Sequence, residues 1–403
     1  MRKKEKDMKK LCKRFFAICL LLIILAVTVS CSLIEQLIGG LCYQLSEDGT
    51  YWSVYYEGYC RSTEIEIPSM FKGKPVKAIN SLAFDKCSSL KKIILPETLT
   101  IIGEYAFFAC DALESIEIPN SVTNIGTHAF ARCAALKNIE VPAGVLTIED
   151  GVFSECHSLV TVTLPDSLVD IGGGAFLDCP SLENINIPDG VTHLGINVFG
   201  GCSKLVQNEN GICYVDRWVV SSDKDITELT LRNDTQGLSD EAFQNCKIST
   251  NVILPEGIKY IGNAAFRYCS SLKGISIPDS VVKIGAEAFW CNDSLMNIEV
   301  GENNLYYRSV DGNLYDKKLT TLLTFAPGKM DERIVLPKSV LFLNKNCFYQ
   351  TAVASRRTIV MNCTIEAFKN NVGDTLWFYC NKGPNSNSDI IMEMLDDSFS
   401  SSF

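Results

Sequence analysis

Eighteen cysteines and three histidines are the side chains with the most chemistry to offer in this 403-residue sequence. Cysteine supports disulfides, metal coordination or nucleophilic catalysis, and histidine supplies a general base or a metal ligand. Spacing decides among these uses. Cys87, Cys110, Cys133, Cys156, Cys179 and Cys202 recur every 23 residues, and Cys246 and Cys269 rejoin the column after a gap. Later positions of the same column hold Asn292, Thr351 and Asn371. A position that accepts Cys, Asn or Thr reads as a small side chain bonding the backbone of a turn. Disulfides along the column are disfavoured because parallel Cβ vectors do not converge. Zinc is disfavoured because a line of thiols does not gather four tetrahedral ligands. Outside the column, Cys42 and Cys60 are open either to pairing in an oxidising compartment or to remaining thiols.

His128, His157 and His193 fall at three different offsets within the repeat, so nothing converges them on a nucleophile. Ser121 and Ser167 sit in turn contexts, and neither a phosphate-cradling glycine loop nor a zinc motif is present. The expectation is a protein that is not an enzyme and uses no metal or cofactor. A chance carboxylate pair among the 47 acidic residues is the one catalytic option left open.

The elements that position these side chains follow from the same period. Phe84, Phe107, Phe130, Phe153, Phe176 and Phe199 stand 23 apart, each three residues ahead of a cysteine. The register then jumps by 44 to Phe243, resumes through Phe266 and Phe289, and jumps by 59 to Phe348. One unit runs Leu113-Glu-Ser-Ile116-Glu117-Ile118-Pro119, then Val122 to Gly126, then Ala129-Phe130 and Cys133. Alternation in the first part turns Ile116 and Ile118 inward and Glu117 outward, and Pro119, lacking an amide donor, stops the strand. Gly126 reads as a position of positive φ. Ala129-Phe130 reads as a short helical turn whose ring plugs the coil. No such unit buries its apolar edge alone, so neighbours must stack.

The predicted fold is a repeat solenoid, a right-handed superhelix of 23-residue coils. It has one parallel β-sheet, with strands near 93–95, 116–118, 139–141, 162–164 and 185–187, and short helical turns opposite. Phe84, Phe107, Phe130, Phe153, Phe176, Phe199, Phe243, Phe266 and Phe289 form its core. Two β-hairpin insertions, near 206–226 and 301–333, are signalled by Asn210-Gly211 and Asp311-Gly312.

The pattern LxxIxIPxxVxxIGxxAFxxC, carried from Leu90 to about Asn371, resembles the BspA-like class of bacterial leucine-rich repeats. Glu149 departs from it at the glycine. The resemblance implies a curved solenoid on a bacterial cell surface that acts in adhesion to host matrix proteins or to other cells. The preceding segment resembles the N-terminal cap of such proteins. The boundaries so read are 1–30 for a lipoprotein-type signal peptide, 31–61 for the cap, 62–380 for the solenoid and 381–403 for a disordered tail.

The N-terminus carries eight basic residues within 1–14, then an apolar run from Phe15 to Val29 that ends at Ser30-Cys31. That is the layout of an export signal, and Thr28-Val29-Ser30-Cys31 resembles a lipobox with Thr28 at the position usually held by leucine. Lipidation at Cys31, plain cleavage nearby and an uncleaved anchor all place the remainder outside the cytoplasm. The net charge of −10 becomes −16 once residues 1–14, which also hold two acids, are set aside. A chain this acidic, with no basic stripe, argues against nucleic acid as partner.

The outward strand positions are then the candidate contact face: Glu66, Glu117, Glu140, Thr163, Asn186, Ser276 and Glu299. They read either as a solvated face or as the contact surface for an extracellular protein or glycan, with the hairpins near Tyr214–Val220 and Leu314–Leu323 beside them. Two functions compete, a cell-surface adhesin or receptor-like module and a structural envelope spacer without a specific ligand.

Overall fold

The structure, a computed structural model, describes residues 40–328, 333–344, 347, 358–361 and 391–394. The fold is a β-solenoid of about 12 turns with a spacing near 23 residues. Two compact units divide the chain, Met1–Pro165 with Asp178–Asn184, and Asp166–Leu177 with Ile185–Phe403.

The short strands fall on two ladder lines, not one. In the first unit, Glu64–Glu66 pairs in parallel with Lys92–Ile94, and Asn138–Glu140 with Thr161–Thr163. A second ladder on the same coils joins Trp52–Glu57, Lys74–Ile79, Ile101–Ile102 and Asn124–Ile125 in parallel. The second unit repeats the plan. Asn251–Ile253, Gly274–Ile277 and Asn297–Val300 form one ladder, and Gly237–Leu238, Tyr260–Ile261 and Lys283–Ile284 belong to the other. The single sheet expected is therefore corrected to two ladder lines. The strand expected near 185–187 is reduced to an isolated bridge of Asn184 with Thr161, and the strand expected over 116–118 is not laddered, although Ile116 stays buried. Its coil is joined to its neighbours there by long bonds, Glu114 N to Lys91 O at 3.4 Å and Lys137 N to Glu114 O at 3.3 Å, past the usual length for a strong ladder bond.

The phenylalanine segments are not helical, and the described residues contain no helix. Around each ring the backbone is left-handed at two fixed places, two residues before and two residues after the phenylalanine. For Phe107 these are Tyr105 (φ 54°) and Ala109 (φ 54°); for Phe130, His128 (56°) and Arg132 (61°); for Phe266, Ala264 (53°) and Tyr268 (59°). Amide groups then alternate in their targets. Tyr105, Phe107 and Ala109 donate to Thr127, Ala129 and Ala131 of the next coil, whereas Ala106, Phe108 and Cys110 donate within the coil to Gly103, Tyr105 and Phe107. A helix sends every amide inward along its own axis, and would leave the next coil without partners. The alternation joins coils and satisfies the backbone at once.

The glycine column works differently from the expectation. Gly103, Gly126, Gly195, Gly262 and Gly285 do not have positive φ. A Cβ at Gly126 would lie 2.6 Å from Glu104 N, and one at Gly285 2.4 Å from Asn263 N. Glycine is demanded there by backbone pressed against the preceding coil.

Packing supplies the core. All nine phenylalanines are buried, and their rings stack within each unit. Centroids lie 5.2 Å apart for Phe84–Phe107, 5.1 Å for Phe107–Phe130, 5.5 Å for Phe176–Phe199 and 5.2 Å for Phe243–Phe266. Near-parallel planes at these spacings are the offset stack that ring quadrupoles favour.

Both insertions are three-stranded meanders and part of the wall. Gln207–Glu209, Ile212–Val215 and Trp218–Ser222 run antiparallel, and the last then pairs in parallel with Gly237–Leu238. Tyr307–Val310, Asn313–Asp316 and Thr321–Thr324 do the same, the last pairing with Phe342–Leu343. Ile391–Met394 pairs in parallel with Thr358–Met361, so the tail read as disordered contributes a strand from its one apolar run.

Candidate functional site

The outward positions of the first ladder were singled out as a contact face, and the pleat explains their exposure. Ile65, Ile139 and Val162 point into the coils and are buried, which turns Glu66, Glu140 and Thr163 out to solvent. Glu117, Asn186 and Glu299 are exposed as well, and Ser276 is half-buried. In the first unit Glu66 pairs with Ile94 and Glu140 with Thr163 across the ladder. In the second, Glu299 is engaged: Ser276 Oγ donates to it at 3.1 Å and Asn297 Nδ2 at 2.7 Å. The same column presents Ile253, 73% exposed.

The hairpin stretches expected beside this face are interior. Tyr214, Val215, Trp218, Val219 and Val220 are buried, as are Leu314, Tyr315 and Leu322. Trp218 lies flat over Gly237, where a Cβ would meet its ring at 2.4 Å, and stacks on Tyr260 at 5.8 Å. Arg232 covers the Tyr214 ring at 4.2 Å while its guanidinium binds Glu209 and Gln207. The Asn-Gly and Asp-Gly signals located the turns; the apolar residues flanking them are the meanders' inner faces.

The second unit also holds a polar constellation that sequence reasoning missed. His193 Nδ1 lies 3.1 Å from Asp170 Oδ2, and its Nε2 lies 3.1 Å from Asp240 Oδ2. Hydrogen bonds to Asp170 and then Asp240 outweigh desolvation and raise the imidazole pKa to about 9. The ring is a cation at neutral pH, holding two carboxylates and with no lone pair for base or metal chemistry. Asp240 also accepts from Asn263 N at 2.6 Å and Asn263 Nδ2 at 3.0 Å. A cleft of about 230 Å³ opens beside it, lined by Asp170, His193, Tyr260, Asn263 and Lys283 among others. Asp170 and His193 are 23 apart, so their pairing was legible once the register was known; Asp240 lies beyond the insertion and was not.

The cysteine column is structural. Cys110, Cys133 and Cys156 donate through sulfur to the carbonyls of Phe84, Phe107 and Phe130 at 3.2, 3.3 and 3.2 Å, each 26 residues earlier. Cys179, Cys202 and Cys269 repeat the contact at 3.0 to 3.1 Å. Burial pushes the thiols of Cys156 and Cys269 up to about 12, which suppresses the nucleophilic thiolate. Asn292 bonds differently, within its own coil, donating from Nδ2 to Phe289 O at 3.1 Å. Among the described residues no cluster of His, Cys, Asp and Glu is arranged to hold a metal. Cys31 lies outside the described residues.

Against this repeat geometry, the BspA type leucine-rich repeat region matches residues 56–207 and 214–322, in six copies. The chain is a member of the BspA-type leucine-rich repeat family. Solved structures similar to this BspA-type chain include three bacterial ones. A leucine-rich repeat protein of T. pallidum is 31% identical over 58% of this chain and 87% of its own, with a TM-score of 0.41. A leucine-rich cell surface protein of Faecalibacterium prausnitzii is 25% identical over 82% and 96%, with 0.39. A leucine-rich repeat protein of Bacteroides ovatus is 21% identical over 88% and 98%, with 0.38. No curated protein matches the sequence.

Proposed function

We propose that this BspA-type chain is a non-catalytic binding module displayed outside the bacterial cell, which recognises an extracellular protein or glycan through the outward positions of its first ladder. The carrying observation is the division of labour within each coil. Ile116 and Ile139 are committed to packing, while Glu117 and Glu140 beside them are exposed and free to vary without cost to the core. Repeat proteins commonly bind along such a ladder because successive coils present equivalent positions at a fixed spacing. The acidic pair suits a partner with a basic patch. The basic N-terminal run, the apolar segment and Ser30-Cys31 support export with a lipid anchor on Cys31.

The test is a panel of immobilised matrix proteins and glycans probed with the full chain. Glu117→Lys combined with Glu140→Lys weakens binding to whatever the wild type captures, and moves stability by under about 0.5 kcal/mol. Raising the salt weakens the wild-type interaction too, since exposed charges are screened over about 8 Å at physiological ionic strength. Unchanged binding by the double variant removes the ladder as the contact face. For the anchor, fatty-acid analogue labelling that persists in Cys31→Ala removes that residue as its site.

A further inference from the structure

The cleft beside His193 lies on the second ladder line, and none of the outward carboxylates of the first borders it. Buried Leu238 and Ile261 close it from within. Tyr260 is a fixed wall. Its ring is stacked on that of Trp218 at 5.8 Å with planes 2° apart, and Trp218 is itself buried over Gly237. Trp218 thus covers one face of the half-buried Tyr260 ring and leaves the other for a ligand. Four charges meet here and cancel: the His193 cation, its two carboxylates Asp170 and Asp240, and Lys283. Their bonding capacity is not equally spent. Asp240 is taken up by His193, Asn263 N and Asn263 Nδ2, and Asn263 Oδ1 accepts from Ala286 N at 2.9 Å. The Asp170 carboxylate is bonded to His193 alone, so its oxygens keep lone pairs to spare. Among the described residues, Lys283 makes no ion pair and the Tyr260 hydroxyl no hydrogen bond.

We propose that this cleft is a sugar subsite, which takes one uncharged pyranose of an extracellular glycan against the Tyr260 ring and bonds its hydroxyls to Asp170 and Lys283. A pyranose presents C–H groups on its face and hydroxyls around its rim. The face packs on the aromatic ring, while neighbouring hydroxyls donate to the carboxylate and accept from the ammonium. At about 230 Å³ the cleft admits one ring-sized group rather than a whole oligosaccharide. Charge decides against the alternatives. A carboxylated or sulfated sugar would meet two carboxylates and approach a chain whose net charge is −10. A lysine or arginine side chain would meet the imidazolium and Lys283. A ring bearing hydroxyls needs no net charge, and matches one spare acceptor with one spare donor. Both anchors are ordered before a ligand arrives, Asp170 by His193 and Tyr260 by Trp218, which lowers the entropy lost on binding. The subsite shares no residue with the Glu117 and Glu140 pair and does not rest on the ladder reading.

Saturation-transfer NMR on the full chain tests this with the methyl pyranosides of glucose, galactose, mannose and N-acetylglucosamine, each at up to about 10 mM, a range that reads millimolar Kd. Sodium glucuronate and the uncharged peptide acetyl-Ser-Asn-amide are run beside them. At least one neutral pyranoside is expected to receive saturation, and more strongly than glucuronate or the peptide. Lys283→Ala removes an exposed, unpaired side chain, so the thermal midpoint holds while affinity for that pyranoside falls about tenfold, the size of losing one hydrogen bond to a charged group. Tyr260→Ala abolishes the transfer, and Tyr260→Phe, which keeps the ring, retains most of it. If Tyr260→Ala folds poorly, the wild-type panel and Lys283→Ala decide. Glu117→Lys with Glu140→Lys binds the pyranoside as the wild type does, which separates a failure of the ladder reading from a failure of this one. No transfer to any neutral pyranoside overturns the proposal. So does stronger binding of glucuronate or the peptide, or wild-type affinity in Lys283→Ala or in a folded Tyr260→Ala.

Discussion

Lys86→Gly is expected to stabilise the protein, and the sign carries the reasoning. Lys86 sits two residues beyond Phe84 with φ at 58°, and its side chain is 74% exposed, paired only with neighbouring Asp85 at 3.3 Å. Little burial is lost on truncation, and an exposed pair of this kind contributes about 0–1 kcal/mol. A non-glycine residue in the left-handed region costs about 1–2 kcal/mol, which glycine relieves. Against this stands the extra backbone entropy glycine loses on folding, about 0.5–1 kcal/mol. Relative to Lys86→Ala, which loses the same ion pair, the net gain is about 0.5–1 kcal/mol. On a helical turn the same change would cost about 1 kcal/mol, so the two conformations differ in sign by a measurable margin. Urea unfolding of the full chain followed by circular dichroism, with Lys86→Ala as control, reads the difference. Alanine keeps the Cβ and therefore the strain, and should change stability little. A Lys86→Gly protein less stable than Lys86→Ala by about 0.5 kcal/mol or more refutes the left-handed assignment.

Three further outcomes are expected. Gly126→Ala destabilises by about 1–3 kcal/mol although its φ is ordinary, because the new Cβ meets backbone of the preceding coil at 2.6 Å; Gly73→Ala, with nothing within 4 Å of its Cβ, costs only the left-handed term. Phe130→Ala, fully buried between Phe107 and Phe153, costs roughly 3–5 kcal/mol in the same assay, and a cost below about 1 kcal/mol says the stack is not core. His193 is protonated more tightly when folded, so its contribution is complete below pH 6.5 and is lost as pH rises through about 9; that loss, about 2–3 kcal/mol between those limits, is absent in His193→Gln, and identical pH profiles for the two proteins refute the clamp.

Register was the legible layer. A 23-residue period in phenylalanine, cysteine and proline located the coils, the buried rings and the outward carboxylates, because stacking forces equivalent residues into equivalent places. Backbone conformation inside the coil was not legible in the same way. Leu82, Tyr105, Glu241 and Glu287 share a left-handed position with Gly151, Gly174 and Asn197, and only the last three are residue types that announce it. The requirement comes from inter-coil hydrogen bonding, a tertiary demand that overrides local preference. The glycine column misled for the complementary reason. Glycine marks both positive φ and close approach, and only the neighbouring coil's position distinguishes them.

The same logic explains why the insertions carry the chain's individuality. Within the repeats each coil finds its partners one period away, so a side chain that departs from the column must satisfy itself against a neighbour that does not. Where the period is broken, new pairings become available. Asp170 and His193 sit 23 residues apart, but the third member, Asp240, reaches Nε2 only because the meander at 207–222 spaces the next coil as it does. Features that distinguish this chain from an ideal array are therefore expected at its register breaks, and the regular outward face between them is free to vary without cost to the core.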